Sequence, residues 1–182
     1  EYTSPYQASL ILEKVLLPKK EISIHLNFRV QIPEKFGSFG YYENTYALVS
    51  LWHPALCSLT ETGWDCTLPP EQSQYNVNLV VPKGFTTIIL DRVFYEEKIS
   101  VSGFKNSISL VITNSLYEYT YEKLGFEVSY FSFDKNKAKT IFKRLDPILV
   151  FAYKHNLPRR RFKIIDSYLR DILTFSTPDF LM

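Results

Sequence analysis

The spacing of apolar residues changes near residue 134, and this change limits the folds open to the 182-residue chain. Up to Phe133, apolar and polar residues alternate, most clearly over Ile22–Ile32 and Tyr75–Val81. A period of two is typical of strands that bury one face. Turn-forming residues separate many short runs of this kind. We therefore predict a mostly β fold, an antiparallel saddle or sandwich domain followed by a short helical α/β segment.

Further strands are predicted at the other apolar runs before residue 134. These runs are 10–17, 46–52, 85–90, 92–101, 107–112, 116–121 and 126–133. The turn Pro82-Lys83-Gly84 predicts a hairpin that joins Tyr75–Val81 to Phe85–Leu90, because proline and glycine favour the backbone angles of tight turns.

A helix is predicted from Asp134, a residue type that caps helix N-termini well. Apolar residues then recur three and four apart from Ala138 to Ala152, which is one helical face. Pro147 lies inside this pattern and predicts either a kink or a fresh helix start capped by Asp146.

Net charge divides the chain at the same place. Residues 1–133 hold 10 basic and 14 acidic groups (net −4), whereas residues 134–182 hold 11 and 5 (net +6). We predict an N-terminal β domain over 1–133 and the start of an α/β segment over 134–182, with a new strand at Arg161–Ile165. The total of +2 is too balanced to indicate a nucleic-acid partner.

Residues for catalysis or metal binding are scarce. The three histidines are His25, His53 and His155, and no two have the spacing of metal ligands. His25 is expected to point to solvent from a strand, and His155 to close the helix. Glycine-rich phosphate loops and the HExxH pattern are absent from the sequence. We predict no catalytic residue, metal ligand or cofactor in this chain, and no apolar run is long enough for a membrane span.

Cys57 and Cys66 are the only cysteines, and the polar stretch between them contains Gly63. Such a stretch can bend back so that the two thiols meet. A disulfide would stabilise the loop by about 2–3 kcal/mol and would indicate an oxidising compartment, periplasmic or extracellular. Two free thiols are the alternative.

Several segments resemble the aminopeptidase-N-like metallopeptidases, the gluzincin group. Trp52-His53-Pro54 and the stretch Tyr75–Phe85 (Tyr-Asn-Val-Asn-Leu-Val-Val-Pro-Lys-Gly-Phe) are similar to the N-terminal β domain of that family. The strand at Phe126–Phe133, the helix that follows, and the step His155-Asn156-Leu157-Pro158 before Phe162–Ile165 resemble the entry to its thermolysin-like catalytic domain. The resemblance covers roughly residues 8–182.

The resemblance also implies that a key motif is altered. In the family, a Gly-x-Met-Glu-Asn motif supplies a glutamate that binds the free amine of the substrate. Alignment on Pro178 places Ser176 at that glutamate, with Phe175 for the methionine and Thr174 for the glycine. Serine carries no charge to pair with an ammonium group. The zinc-binding helix of the family lies beyond the sequence given, so zinc is expected only if a downstream domain supplies it.

We therefore expect a non-catalytic module of an aminopeptidase-like protein that acts through protein or peptide contact. One alternative is a fragment of an active zinc aminopeptidase, since the chain starts at Glu1 and its apolar end, Phe180–Met182, suggests that the polypeptide continues. Another alternative is an exported carbohydrate-binding sandwich, in which Tyr119 and Tyr121 belong to an aromatic platform.

Overall fold

A computed structural model of the chain describes residues 2–4, 7–34, 39–49, 52–158 and 161–166. Across them the chain forms one helix, α1 (Lys135–Lys154), and fourteen strands. The strands are β1 (Tyr2–Ser4), β2 (Gln7–Ala8), β3 (Phe39–Tyr42), β4 (Thr45–Leu48), β5 (Ser58–Thr60), β6 (Gly63–Asp65), β7 (Ser73–Val80), β8 (Thr86–Ile89), β9 (Arg92–Phe94), β10 (Lys98–Lys105), β11 (Leu110–Thr113), β12 (Tyr117–Lys123), β13 (Phe126–Ser132) and β14 (Arg161–Ile165). The predicted fold class, mostly β with a short helical segment, is confirmed.

The chain divides into two compact units, residues 1–30 and 31–182. In the first unit, β1 and β2 pair antiparallel, and the described residues from 9 to 30 form no further strand or helix. The strands predicted at Leu10–Leu17 and Ile22–Ile32 are therefore wrong. Alternation specifies a strand only where a sheet edge can hydrogen-bond to it, and no strand of the described residues pairs with these segments.

The second unit is built around a five-stranded antiparallel sheet with the order β3-β4-β11-β8-β9. Its central strands bury side chains on both faces, because Ile88 and Val111 enter one hydrophobic cluster while Ile89 and Leu110 enter another. Both faces of the sheet are apolar, and a further layer of the structure packs on each of them.

The ribbon formed by β7 and β10 covers one of these faces. The two strands pair in register from Lys98↔Val80 to Lys105↔Ser73, and their inward side chains, such as Val101, join the cluster of Ile89 and Leu110. The outward side chains of the ribbon are exposed.

The hairpin predicted between Tyr75–Val81 and Phe85–Leu90 is wrong, although both strands exist. The Pro82–Gly84 turn carries the chain from β7 in the ribbon to β8 in the five-stranded sheet, so β7 pairs with β10 and β8 with β9 and β11. The strand predicted over Arg92–Val101 likewise divides into β9 and β10, which belong to different sheets.

The other face packs against a three-stranded sheet, β12-β13-β14, through Phe131 and Ile165. Helix α1 covers the far side of that sheet with Leu149, which packs with Phe126 and Val128. Strands β13 and β14 are parallel, so β13, α1 and β14 form a βαβ unit. The predicted strand at Arg161–Ile165 is confirmed.

The helix begins as the sequence predicts. Asp134 is the N-cap, and its Oδ1 accepts a hydrogen bond of 2.8 Å from the backbone amide of Asn136. The helix continues through Pro147, and no fresh start occurs there. Asp146 instead accepts from Tyr121 on β12 and forms an ion pair of 2.8 Å with Lys123.

Candidate functional site

A short hairpin between the two cysteines presents apolar side chains to solvent. It consists of β5 and β6, with Leu59 directly opposite Trp64. Both side chains are 61% exposed. Cross-strand neighbours on one face of a hairpin lie close enough to form a single apolar surface. We call the pair Leu59 and Trp64 the hairpin face.

The cysteines fix the base of this hairpin. The sulfur atoms of Cys57 and Cys66 lie at disulfide distance, with 4.6 Å between the Cα atoms, so the predicted pairing is confirmed. Cys57 directly precedes β5 and is two residues from Leu59, and Cys66 directly follows β6 and is two residues from Trp64. Because side chains alternate across a strand, the bridge and the hairpin face share one side of the hairpin.

The opposite side of the hairpin is attached to the rest of the chain. Ser58 is buried, and its hydroxyl donates a hydrogen bond of 2.8 Å to the carbonyl oxygen of Pro69. The side-chain amide of Asn106 donates at 2.8 Å to the next carbonyl, that of Pro70. These two bonds fix the segment that runs beside the hairpin face.

A shallow groove of about 260 Å³ lies between the hairpin face and this segment. It is lined by Leu56, Cys57, Leu59 and Trp64 on one side and by residues from Pro70 to Ser73, with Tyr75, on the other. Leu56 is 70% exposed and extends the apolar surface beyond the hairpin face. The groove therefore combines an apolar border, formed by Leu56, Leu59 and Trp64, with a polar wall that contains Glu71, Gln72 and Ser73.

Aromatic residues hold the floor of the groove in place. The hydroxyl of Tyr75 donates to the carbonyl oxygen of Asn106 at 3.3 Å, and burial raises the pKa of this phenol. The His53 ring meets Tyr75 edge-on at 5.6 Å and Trp52 at 5.3 Å between centroids. The indole of Trp52 in turn donates to the carbonyl oxygen of Ile108 at 2.8 Å.

The ring of His53 packs between Trp52 and Tyr75. Its Nδ1 lies 2.9 Å from the carbonyl oxygen of Pro54, which can only accept, so Nδ1 carries the proton in this bond. Its Nε2 is buried and has no hydrogen-bond partner within the described part of the chain. In the same residues, no three histidine, cysteine, aspartate or glutamate side chains gather as a metal site would require.

The electrostatic character of the surface is acidic. From residue 44 to residue 82 the chain has three acidic residues, Glu61, Asp65 and Glu71, and no lysine or arginine. Glu71 lines the groove itself. Hydrogen bonds from the hydroxyl and the backbone amide of Thr67 lower the pKa of Asp65. The acidic side chain of Glu71 therefore gives the groove a position that attracts a cation.

A second polar cluster lies where β13 and β14 end. Asp166 accepts from the hydroxyl of Ser132 at 2.9 Å and forms an ion pair of 2.5 Å with Lys137 on the first turn of α1. Burial raises the pKa of Tyr130, which lies nearby on β13. These bonds link the ends of two strands to the start of the helix, so the cluster stabilises the βαβ unit.

The other residues singled out in the sequence do not come together. His25 is exposed as expected but lies on no strand, and His155 forms the C-cap of α1, as predicted. Tyr121 stacks on Phe142 of α1 at 5.0 Å, so this ring face is covered, and Tyr119 is half-buried. Ser176, at the position of the amine-binding glutamate of the family, lies outside the described residues.

The hairpin face is the feature that the sequence interpretation missed. The cysteine spacing indicated the loop, but alternation over three-residue strands is too short to predict a hairpin. Trp64, between Gly63 and Asp65 in a polar stretch, was the available signal, since tryptophan is highly buried on average in folded proteins.

Across the described residues, no helix is both long enough and apolar enough to cross a membrane. No protein-family model matches this chain, and comparison with curated proteins gives no match either.

Proposed function

We propose that this chain is a non-catalytic module of an aminopeptidase-like protein, and that it acts by binding a protein or peptide. The observation that carries the proposal is the hairpin face, an exposed leucine and tryptophan on a cross-linked hairpin beside a groove. Tryptophan is among the residues that most often dominate binding energy, and a rigid surface loses little entropy on binding.

The size of the groove favours a peptide over a small molecule. Its volume of about 260 Å³ is below the roughly 300–1,000 Å³ of sites that enclose a small ligand. It suits one or two side chains of a larger partner, with the rest of that partner lying on the hairpin face. The module would be exported, because a disulfide persists in oxidising compartments.

The absence of catalysis is tested on the purified full chain. We expect no hydrolysis of aminoacyl amides, with or without added zinc, and no zinc at unit stoichiometry by elemental analysis. Hydrolysis together with one bound zinc per chain would overturn the proposal.

A fragment of an active zinc aminopeptidase is the second candidate, and the βαβ unit favours it. The family resemblance implies a strand, a helix and a further strand over residues 126–165, and β13, α1 and β14 occur in that order. The domain division at residue 134, which the charge distribution predicts and the resemblance implies, stays a prediction. The sequence downstream of Met182 decides this candidate, because an HExxH motif about a hundred residues later would supply the zinc ligands and base.

A further inference from the structure

We propose that the groove beside the hairpin face binds a peptide segment that combines an aliphatic or aromatic side chain with a neighbouring lysine or arginine. This inference rests on the proposed function and specifies its partner. Leu59, Trp64 and the groove would contact the apolar side chain of the peptide, and the nearby acidic residues would attract its lysine or arginine.

The apolar contact has a defined location. Leu56, Leu59 and Trp64 border the recess, and each exposes more than half of its side chain. Burial of such a surface is favourable because it removes apolar area from water. An apolar side chain of the partner would gain this stabilisation against Leu56, Leu59 and Trp64, whereas the opposite wall of the groove is polar and contains Glu71, Gln72 and Ser73.

The charge contact lies at the edge of the same recess. Glu71 lines the groove and is exposed, so a cation can reach it without leaving water. Glu61 in the hairpin turn and Asp65 at the end of β6 add charge of the same sign, and residues 44–82 contain no lysine or arginine. Lys105, which lies opposite Ser73 on the neighbouring strand, forms an ion pair with Asp91. Complementary charge raises the association rate and excludes anionic partners.

The test uses the full chain and three labelled synthetic peptides of equal length, built from leucine and lysine, leucine and glutamate, or serine and lysine. Binding is followed by fluorescence anisotropy. We expect the leucine–lysine peptide to bind at least about tenfold more tightly than either of the others, because only it meets both requirements. Equal binding of the leucine–glutamate peptide, or no binding of any peptide, would overturn the inference.

Variants then place the binding site. Leu59→Ser should weaken the leucine–lysine peptide about tenfold, and Glu71→Lys should weaken it most at low salt. Val80→Ser is the matched control: Val80 is 82% exposed on the outer side of β7, so its loss should leave binding unchanged. All three positions are exposed, and circular dichroism checks that each variant folds.

Two further outcomes separate this inference from the proposed function. If a peptide binds but Leu59→Ser and Val80→Ser behave alike, the site is refuted while a peptide-binding module still stands. If the chain forms dimers that Leu59→Ser and Glu71→Lys abolish, a second copy occupies the groove and the peptide is refuted. Aminoacyl hydrolysis with bound zinc would refute the proposed function whatever the peptides do.

Discussion

At the scale of single residues, the turn between β8 and β9 holds two side chains in a backbone conformation that they rarely adopt. Leu90 and Asp91 have φ angles of 48° and 61°, a region that favours glycine and asparagine in two-residue hairpin turns. Leu90 is buried in the core below the ribbon, and Asp91 forms an ion pair of 2.7 Å with Lys105. Burial of the leucine offsets the backbone strain.

Replacement of Gly103 tests how tightly Leu90 is held. A Cβ atom at Gly103 would lie 3.3 Å from Cδ1 of Leu90, closer than ordinary contact. We expect Gly103→Ala to lower the free energy of unfolding by about 1–2 kcal/mol, measured by urea denaturation, because the packed leucine cannot move away. In a Leu90→Ala background the same change should be neutral or stabilising, since glycine weakens a strand interior. An equal loss in both backgrounds would exclude the contact as the cause.

Asp146 provides a second test at this scale, through pH. The bond from Lys123, with a further one from Tyr121, lowers the pKa of the Asp146 carboxyl below its usual value of 3.8. A carboxyl with a lowered folded-state pKa adds stability above its unfolded-state pKa, and this contribution is lost as pH falls through the folded-state value. Asp146→Asn should therefore be less stable than the natural chain at pH 6, and this difference should shrink as the pH falls below 3.8. A stability difference that does not change over this range would contradict the assignment.

At the scale of elements, the hairpin of β5 and β6 has strands of only three residues, too short to be stable without support. The Cys57–Cys66 pair closes a loop of about ten residues, for which chain entropy predicts a stabilisation near 2.5 kcal/mol. The elements that define the candidate surface thus depend on one cross-link and on the bond between Ser58 and Pro69.

Reduction of the disulfide should release this element. The chain has no other cysteine, so a reductant acts only at Cys57 and Cys66. We expect the bridged chain to be two mass units lighter than the reduced chain and more stable by about 2–3 kcal/mol in thermal unfolding. A Cys57→Ser/Cys66→Ser variant should match the reduced chain and not respond to reductant. Complete thiol labelling of freshly isolated native protein would remove the argument for export.

At the scale of the whole molecule, the sequence predicted what local patterns encode and failed where distant segments must meet. The Asp134 cap, the helix and β14 follow from neighbouring residues and were predicted. The pairing of β7 with β10 joins residues that are 18 to 32 positions apart in the sequence, and a Pro–Gly turn allowed either a hairpin or a crossing between sheets. The candidate surface was missed for a related reason. Trp64 and Glu71 line the same groove, but neither residue belongs to a sequence motif that would indicate that they lie together.

The core that joins the two sheets decides whether the βαβ unit of β13, α1 and β14 behaves as a separate domain. Phe131 and Ile165 share a buried cluster with Ile88 and Val111 of the five-stranded sheet, so the βαβ unit and this sheet should unfold together. Phe131→Ala should cost about 3–5 kcal/mol, through loss of apolar contacts and the cavity left behind.

Urea denaturation of the natural chain and of Phe131→Ala, followed with two probes, shows whether the two sheets unfold as one cooperative unit or as two. Helix α1 reports through far-ultraviolet circular dichroism, and Trp52 reports through fluorescence in a Trp64→Phe background, since the chain has two tryptophans. We expect the two unfolding transitions to coincide in the natural chain and to shift together to lower urea concentration in Phe131→Ala. If the helix signal moves while that of Trp52 stays in place, the shared core does not couple the sheets. The sheet of β12, β13 and β14, with α1, would then be an independent folding unit, and the division would lie before β12 and not at residue 134.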